Sequence, residues 1–435
     1  MKKNNKALLF AAALLFFTCG CITKGAKTVN YENGLRSILI NDKNSLVSSV
    51  YVFVRAGAID EKPSQAGLSH FLEHLMFKGS KNYPGDELSR KVENMGGYIN
   101  AMTSNEYTAY YINVQKDGAG QAVKMLADTM QNPLFPKDDI DRERKVVIEE
   151  IQRHFDNPMS VLDEKFMENI YPTSALKNSV IGTSDIIANV SRDEIYAYYS
   201  AHYVPEKMVV VVAGNFDEGE VSSLISETFG KFEKKAPPAD PKVREDLSGA
   251  KDITDKGNVE IGYLFSGFLG PVIESDDIFT ADLAACILGG GKSSRLYRIL
   301  KEEKQLVVSI GSSFMTCTGN GILYISSAFD PKNLDAIKEE IIKQIDDIVQ
   351  NGVNPDELAR AKLSMKTNWS FAFEKPSDIG YFYGYWNLMK RPEAVEEYMK
   401  KIQSLTTQDV RDFFVKYYSR GKIVNAALLP KDANK

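Results

Sequence analysis

Basic residues are in the minority in this chain of 435 residues, whose formal net charge is −5. No basic patch with interleaved aromatic residues occurs, so the sequence gives no support to nucleic-acid binding. The glycine run at 289–291 does not have the spacing of a phosphate-binding loop. With 43% hydrophobic and 26% charged residues, the chain can instead build at least two hydrophobic cores, as a large soluble enzyme does.

Histidine is scarce, and two of its four copies stand in one pentad, HFLEH, from His70 to His74. On a helix that advances about 100° per residue, both histidines and Glu73 share one arc of roughly 100°. The apolar residues around them cluster on the opposite side, where they would anchor the helix in a core. H-x-x-E-H is an inverted zincin motif, which indicates a zinc peptidase. The alternative is a solvated helix face with two incidental histidines.

A catalytic zinc ion usually takes three protein ligands, so a third ligand must come from elsewhere in the chain. The charged stretch 138–155 predicts a helix that ends at an Asn-Pro pair. Glu150 lies beside the apolar stripe of this helix, whereas Glu149 faces away. We therefore expect Glu150 to be the third ligand. Glu143 would either contact the same site from behind the ligands or belong to a solvated face.

Three segments carry a resemblance to a known family: GLSHFLEHLMFKG at 67–79, the Gly-Gly and Asn-Ala pairs within 96–101, and the acidic helix at 143–151. With these motifs the chain resembles the pitrilysin and insulinase family, nearest to its mitochondrial-processing-peptidase-like branch. The match runs nearly end to end, and Glu150 follows His74 at the distance that the family shows.

The resemblance implies an endopeptidase with one Zn²⁺ per chain, held by His70, His74 and Glu150. Zinc supplies a Lewis acid for the scissile carbonyl and lowers the pKa of a water molecule. Glu73 is then the general base, and Glu143 assists catalysis. Two alternatives remain open: a non-catalytic scaffold subunit, and a zinc carrier or sensor. The second of these has no need for Glu73.

The segment 96–111 resembles the edge strand with which the family binds substrate. An unpaired edge can accept an extended peptide through backbone hydrogen bonds that depend little on sequence. Asn100 and Ala101 match family positions beside the scissile bond. The alternative is that the glycines form a turn and the tyrosines pack. Substrates are expected to be peptides or unfolded polypeptide segments.

One departure from the family concerns a substrate-binding arginine and tyrosine in the second half of the chain. The expected arginine is present as Arg295, but Val308 stands where the tyrosine is expected. Some bacterial relatives divide the metal motif and this pair between two chains. We therefore expect a homologous partner subunit that supplies an arginine and tyrosine pair, or else a homodimer.

The order of predicted elements repeats, which indicates an internal duplication. Each half closes with a helix, a paired-tyrosine turn and an apolar strand, at 208–214 and 423–429. We expect an α+β fold of two homologous domains, each a largely antiparallel sheet with helices packed on it, that form a clam-like substrate chamber. The expected bounds are 28–233 for the catalytic domain, 234–247 for a proline-rich linker and 248–435 for a non-catalytic domain.

Residues 1–21 have the pattern of an export leader: lysines, then an apolar run at 7–17 that is too short for a stable membrane anchor. The sequence TCGC at 18–21 resembles a lipoprotein cleavage box, so we expect Cys21 to carry a lipid. Cleavage there removes three lysines and leaves a net charge of −5 − 3 = −8. The expected product is a periplasmic or membrane-anchored bacterial lipoprotein, and the alternative is ordinary secretion.

The two remaining cysteines, Cys286 and Cys317, could pair in an oxidising compartment or remain as buried thiols. Neither has a histidine or cysteine at metal-ligand spacing. The sequence therefore gives no second metal site.

Overall fold

The computed structural model describes residues 25–241 and 243–431, so the expected leader and Cys21 lie outside the described residues. Its strands are β1 Lys27–Asn30, β2 Arg36–Asn41, β3 Val47–Val54, β4 Tyr98–Thr103, β5 Thr108–Gln115, β6 Met208–Gly214, β7 Lys251–Gly257, β8 Gly262–Val272, β9 Val307–Met315, β10 Asn320–Phe329 and β11 Val424–Pro430. Its α-helices are α1 Leu68–Met76, α2 Glu87–Asn94, α3 Ala119–Gln131, α4 Lys137–Asp156, α5 Pro158–Ile170, α6 Ser184–Asn189, α7 Arg192–His202, α8 Glu218–Glu227, α9 Asp277–Gly289, α10 Leu334–Asn351, α11 Pro355–Ala372, α12 Pro376–Leu388, α13 Glu393–Ser404 and α14 Thr407–Tyr417.

The strands form two sheets of the same topology. The first has the order β1-β2-β6-β3-β5-β4 and the second the order β7-β11-β8-β10-β9. In each sheet one pair is parallel, β2 with β6 and β7 with β11, and the remaining pairs are antiparallel. Apart from β1, the two orders correspond strand for strand. The expected α+β architecture of two homologous, largely antiparallel halves is confirmed.

Each half of the chain also covers the sheet of the other half with a helix. Helix α5, which follows the acidic helix of the first half, packs on β8 and β11 of the second sheet. Helix α12 packs on β3 and β6 of the first sheet. The contact is close, because a Cβ atom on Gly384 of α12 would lie only 2.0 Å from the ring of Phe53. The two halves therefore share their hydrophobic cores.

Both described cysteines are free thiols. Cys286 is half-buried on α9. Cys317 is buried beside Tyr171, and burial raises the pKa of its thiol to about 12. The interpretation as packed thiols is confirmed, and the pairing alternative is wrong.

Within the described residues, the helices are either too short or too polar to cross a membrane.

Candidate metal centre

Helix α1 presents the histidines because both its start and its buried face are fixed. Its N-cap residue, Gly67, has φ +91°, and a Cβ there would lie 2.9 Å from the backbone of Gly182. The carboxylate of Glu61 accepts hydrogen bonds from the backbone N–H groups of Gly67 and Ser69, each at 2.7 Å. These bonds satisfy two donors at the open end of the helix. The apolar face is buried, as predicted: Leu68, Phe71, Leu72, Leu75 and Met76 are at most 1% exposed.

The second ligand helix, α4, packs against α1. The charged stretch predicted as a helix at 138–155 extends over Lys137–Asp156. Its apolar stripe is buried, while Glu149 is exposed and faces away, as predicted. Because the stripe docks on the first helix, Glu150 is brought to the two histidines.

Three side chains converge as the sequence predicts. The Nε2 atoms of His70 and His74 lie 3.7 Å and 3.5 Å from Oε2 of Glu150. Ligand atoms of all three residues lie within 4.8 Å of one another. A tetrahedral zinc ion about 2.0–2.1 Å from its ligands separates them by roughly 3.4 Å. The three side chains therefore fit a zinc ion, and two nitrogens with one carboxylate oxygen are a donor set that zinc accepts.

The protonation of His70 also suits a metal ligand. Burial, together with the neighbouring ring of His74, lowers the pKa of His70 to about 4. The imidazole is therefore neutral at pH 7 and has a lone pair to offer. Its Nδ1 atom is buried and has no hydrogen-bond partner among the described residues, so packing around the ring orients it.

The ring of His74, in contrast, is oriented by a carboxylate. Its Nδ1 atom donates to Oε2 of Glu143 at 3.1 Å, and Lys78 donates to Oε1 of the same carboxylate at 2.8 Å. Burial opposes ionisation of Glu143, but the hydrogen bonds from Lys78 and His74 outweigh it and hold its pKa below the usual value. Glu143 is only 8% exposed, so the interpretation as a solvated residue is wrong. It contacts the candidate site through His74, in the way that carboxylates orient ligand histidines in zinc proteins.

Glu73 lies beside the ligands without joining them. It lines the same cavity as His70 and Glu150, and it accepts a hydrogen bond from the hydroxyl of Thr103. Burial raises the pKa of Glu73, although the bond from Thr103 opposes the shift. A carboxylate with a raised pKa is a stronger proton acceptor. Glu73 is thus available as a proton acceptor beside the three candidate ligands.

The cavity at the ligands measures about 480 Å³ and is bounded by the edge strand β4. Met102 and Thr103, at the end of this strand, line the cavity. Asn100 and Ala101 lie on the same free edge, two residues earlier, and do not line it. The structure therefore places both residues on a sheet edge, and their contact with substrate stays a prediction.

Arg295 lies in the other half of the chain and does not line this cavity. Its guanidinium is buried and donates to Glu357 at 2.8 Å and to Asp347 at 2.7 Å. Val308, at the position of the expected tyrosine, is 54% exposed at the start of β9. The structure does not bring these two residues to the described ligands, so a substrate-binding role for Arg295 stays a prediction.

Sequence reasoning missed three residues that support the site. Thr103 contacts Glu73, Lys78 contacts Glu143, and Glu61 holds the start of the first ligand helix. Lys78 follows His74 by one helical turn, which is a detectable spacing. Thr103 and Glu61 give no such pattern, because each acts from another element.

Two family models match this chain. The model described as insulinase (peptidase family M16) covers residues 36–184, which include all the candidate ligands. The model described as peptidase M16 inactive domain covers residues 189–365. Both matches place the candidate chemistry in the first half.

Individual proteins resemble the chain over most of its length. An uncharacterized zinc protease of Mycobacterium leprae is 30% identical over 79% of this chain and 78% of its own. An uncharacterized zinc protease of Bacillus subtilis is 28% identical over 80% and 84%. A protease from Helicobacter pylori, whose crystal structure is known, is 25% identical in sequence to this chain. Its structure superimposes with a TM-score of 0.87 over 93% of this chain and 99% of its own.

Proposed function

This chain belongs to the insulinase family, peptidase family M16, and on that premise we propose that it is a zinc-dependent endopeptidase. Its substrates are peptides or unfolded polypeptide segments. The observation that carries the proposal is the convergence of His70, His74 and Glu150 on one point, with Glu73 beside them. The relatives named zinc proteases support the choice of metal.

The residues of the site have separate tasks in this proposal. Bound zinc supplies a Lewis acid and an acidified water molecule. Glu73 accepts the proton of the attacking water and returns it to the leaving amine, since its pKa is raised by burial. Thr103 fixes one carboxylate oxygen of Glu73 and so orients the other. Glu143 holds His74 in the tautomer whose Nε2 is free to bind a metal.

The free edge of β4 supplies the means of holding a peptide. Its outer backbone groups have no strand partner among the described residues. A peptide added there as a further strand would run from Asn100 and Ala101 toward the cavity at Glu73. Main-chain pairing of this kind requires an extended segment, and for that reason the proposed substrates are unfolded.

Partner and location form a further part of the proposal. Val308 lacks the hydroxyl of the expected tyrosine, and Arg295 is occupied by two carboxylates. A homologous subunit that carries an arginine and tyrosine pair would then complete the site, whereas a homodimer would leave this pair incomplete. The leader at 1–21 favours export and a lipid on Cys21, which would anchor the enzyme at a membrane.

The competing function is a non-catalytic scaffold or binding subunit. A scaffold does not need three side chains spaced to hold one metal ion, nor a buried carboxylate beside them. Here both are present, and the helices that carry them are positioned by buried contacts. We therefore favour the peptidase.

Zinc removal and restoration test the proposal. The purified chain is incubated with a mixed library of unstructured peptides, alone and with the nearest homologous chain from the same cell. We expect hydrolysis that a chelator abolishes and added zinc restores. Hydrolysis that survives complete zinc removal would contradict the proposal, and so would a zinc-loaded protein inactive in every pairing. Dependence on the added chain would identify the partner.

A further inference from the structure

A second cavity, of about 460 Å³, lies in the C-terminal half of the chain and has no part in the chemistry above. Half of its twelve lining residues are aromatic side chains of α11, α12 and α13: Trp369, Tyr381, Phe382, Tyr385, Trp386 and Tyr398. Among these six, Trp386 is buried and the others are half-buried. The half-buried rings leave this aromatic lining open to water.

One carboxylate lines this aromatic cavity. Asp282 reaches it from α9, and its Oδ2 atom accepts a hydrogen bond from the hydroxyl of Tyr398 at 2.6 Å. Among the described residues, no lysine, arginine or histidine pairs with Asp282. Burial raises the pKa of its carboxyl group to about 7, with the bond from Tyr398 opposing the shift. The ionised form therefore lacks a counter-charge inside the protein.

Aromatic faces and a carboxylate favour the same kind of ligand. The face of an indole or phenol ring carries negative potential, and a cation placed over it is attracted, most strongly by tryptophan. A carboxylate in the same cavity adds a full opposite charge in surroundings of low polarity. A neutral apolar ligand would use the rings but leave the ionised form of Asp282 without a counter-charge, at a cost. The lining thus favours an organic cation.

One turn of the chain contacts residues of both the aromatic cavity and the cavity at the candidate metal ligands. It lies between β4 and β5, and its Asn105 lines the metal-site cavity. Two residues later, the hydroxyl of Tyr107 lies 2.7 Å from that of Tyr381, and its ring lies 5.8 Å from that of Tyr385. Residues 105 and 107 of one turn therefore contact the linings of both cavities.

We propose that the aromatic cavity binds the side-chain ammonium group of a lysine in a peptide, with Asp282 as its counter-ion and Trp369 as an aromatic wall. The peptide as ligand rests on the proposed peptidase function, whereas the cation site rests on the cavity itself. The site would favour substrates that carry a lysine at some distance from the bond to be cut.

Tryptophan fluorescence provides a direct test, because both tryptophans of the chain line this cavity. The full-length Glu73→Gln protein is titrated with Nα-acetyl-lysine amide, with its neutral counterpart Nα-acetyl-norleucine amide, and with tetramethylammonium chloride. No hydrolysis is read, so the result does not depend on catalysis. We expect the lysine probe to change the emission with an affinity at least about tenfold above that of the norleucine probe.

A second substitution separates the charge from the shape of the cavity. Asp282→Asn keeps an oxygen that accepts from Tyr398 but removes the negative charge. It should weaken the lysine probe by about tenfold or more, to the level of the norleucine probe. Asp412→Asn, at an exposed aspartate of α14, is the matched control and should leave binding unchanged. A single cooperative thermal transition shows that Asp282→Asn folds.

Three outcomes would overturn the proposal. Equal binding of the lysine and norleucine probes would make the cavity a site for apolar groups. Binding of tetramethylammonium without binding of the lysine probe would make it a site for small quaternary cations. No emission change up to the solubility limit of the lysine probe would exclude the site. Each of these can occur in an active peptidase, and lysine binding can equally occur in a protein that hydrolyses nothing.

Discussion

Glu143 contacts the candidate metal site without being one of its three candidate ligands. It holds Nδ1 of His74 and is itself held by Lys78. Glu143→Gln keeps the shape but weakens the acceptor, so we expect zinc affinity to fall by roughly 10–100-fold. Competition for zinc with a chromophoric chelator measures this change. Glu149→Gln, an exposed glutamate of the same helix, is the control. Equal zinc affinity in both variants would show that Glu143 has no positioning role.

At the residue scale, helical periodicity was enough to predict which three candidate ligands lie together. His70, His74 and Glu150 lie together because each sits at a fixed angle from a buried stripe on its own helix. The contact of Glu73 with Thr103 was not predictable, because it joins a helix to a strand and depends on their docking. The lack of a hydrogen-bond partner for Nδ1 of His70 among the described residues was unpredictable for the same reason.

At the scale of elements, α9 packs against α13 through the hydrogen bond between Asp282 and Tyr398. This contact makes the free energy of unfolding depend on pH. The folded-state pKa of Asp282 is about 7, above the ordinary value of 3.8, so folding takes up a proton between these values. The stability contribution of this residue is therefore largest below pH 3.8 and falls as the pH rises through 7.

Asp282→Asn should remove that dependence. As the pH rises from 5 to 8, the free energy of unfolding of the variant should increase by ~2–4 kcal/mol relative to that of the unmodified chain. Denaturant titrations at the two pH values measure the difference. A variant whose relative stability is the same at pH 5 and pH 8 would show that Asp282 is not held in its neutral form.

Local patterns predicted some elements to the residue and failed on others. The apolar run at 208–214 forms β6 with the same bounds, because a strand buried on both faces is a continuous apolar segment. The segment 96–111, predicted as one edge strand, is instead the edge strand β4, a turn and the start of β5. No Asn-Gly or Asp-Gly pair marks that turn, so the sequence gives little sign of it.

At the scale of the whole molecule, the exchanged helices make the two halves one cooperative unit. Gly384→Ala would drive a methyl group into the ring of Phe53 and separate α12 from the first sheet. We expect a loss of about 1–3 kcal/mol in unfolding free energy, with one transition shifted as a whole. Gly219→Ala, at an exposed glycine of α8, should be neutral or slightly stabilising. Calorimetry that resolves two transitions, with only one of them moved, would contradict shared cores.

The duplication was visible in the sequence, since the order of helices and strands repeats and both sheets have the same topology. The exchange of α5 and α12 was not visible. An amphipathic helix shows which of its faces is buried, but it does not show which sheet covers that face. The expected bounds 28–233 and 248–435 describe the repeat along the chain, and they stay a prediction as domain limits.

The most direct test of the peptidase assignment compares zinc content and peptide hydrolysis in the unmodified chain, Glu73→Gln and the control Glu149→Gln. The account predicts one zinc per chain in all three proteins. It predicts turnover lowered by roughly 10²–10⁴-fold in Glu73→Gln alone, because only that variant lacks the proton acceptor. A Glu73→Gln protein that hydrolyses peptides at the unmodified rate, or that loses its zinc together with its activity, would contradict the assignment.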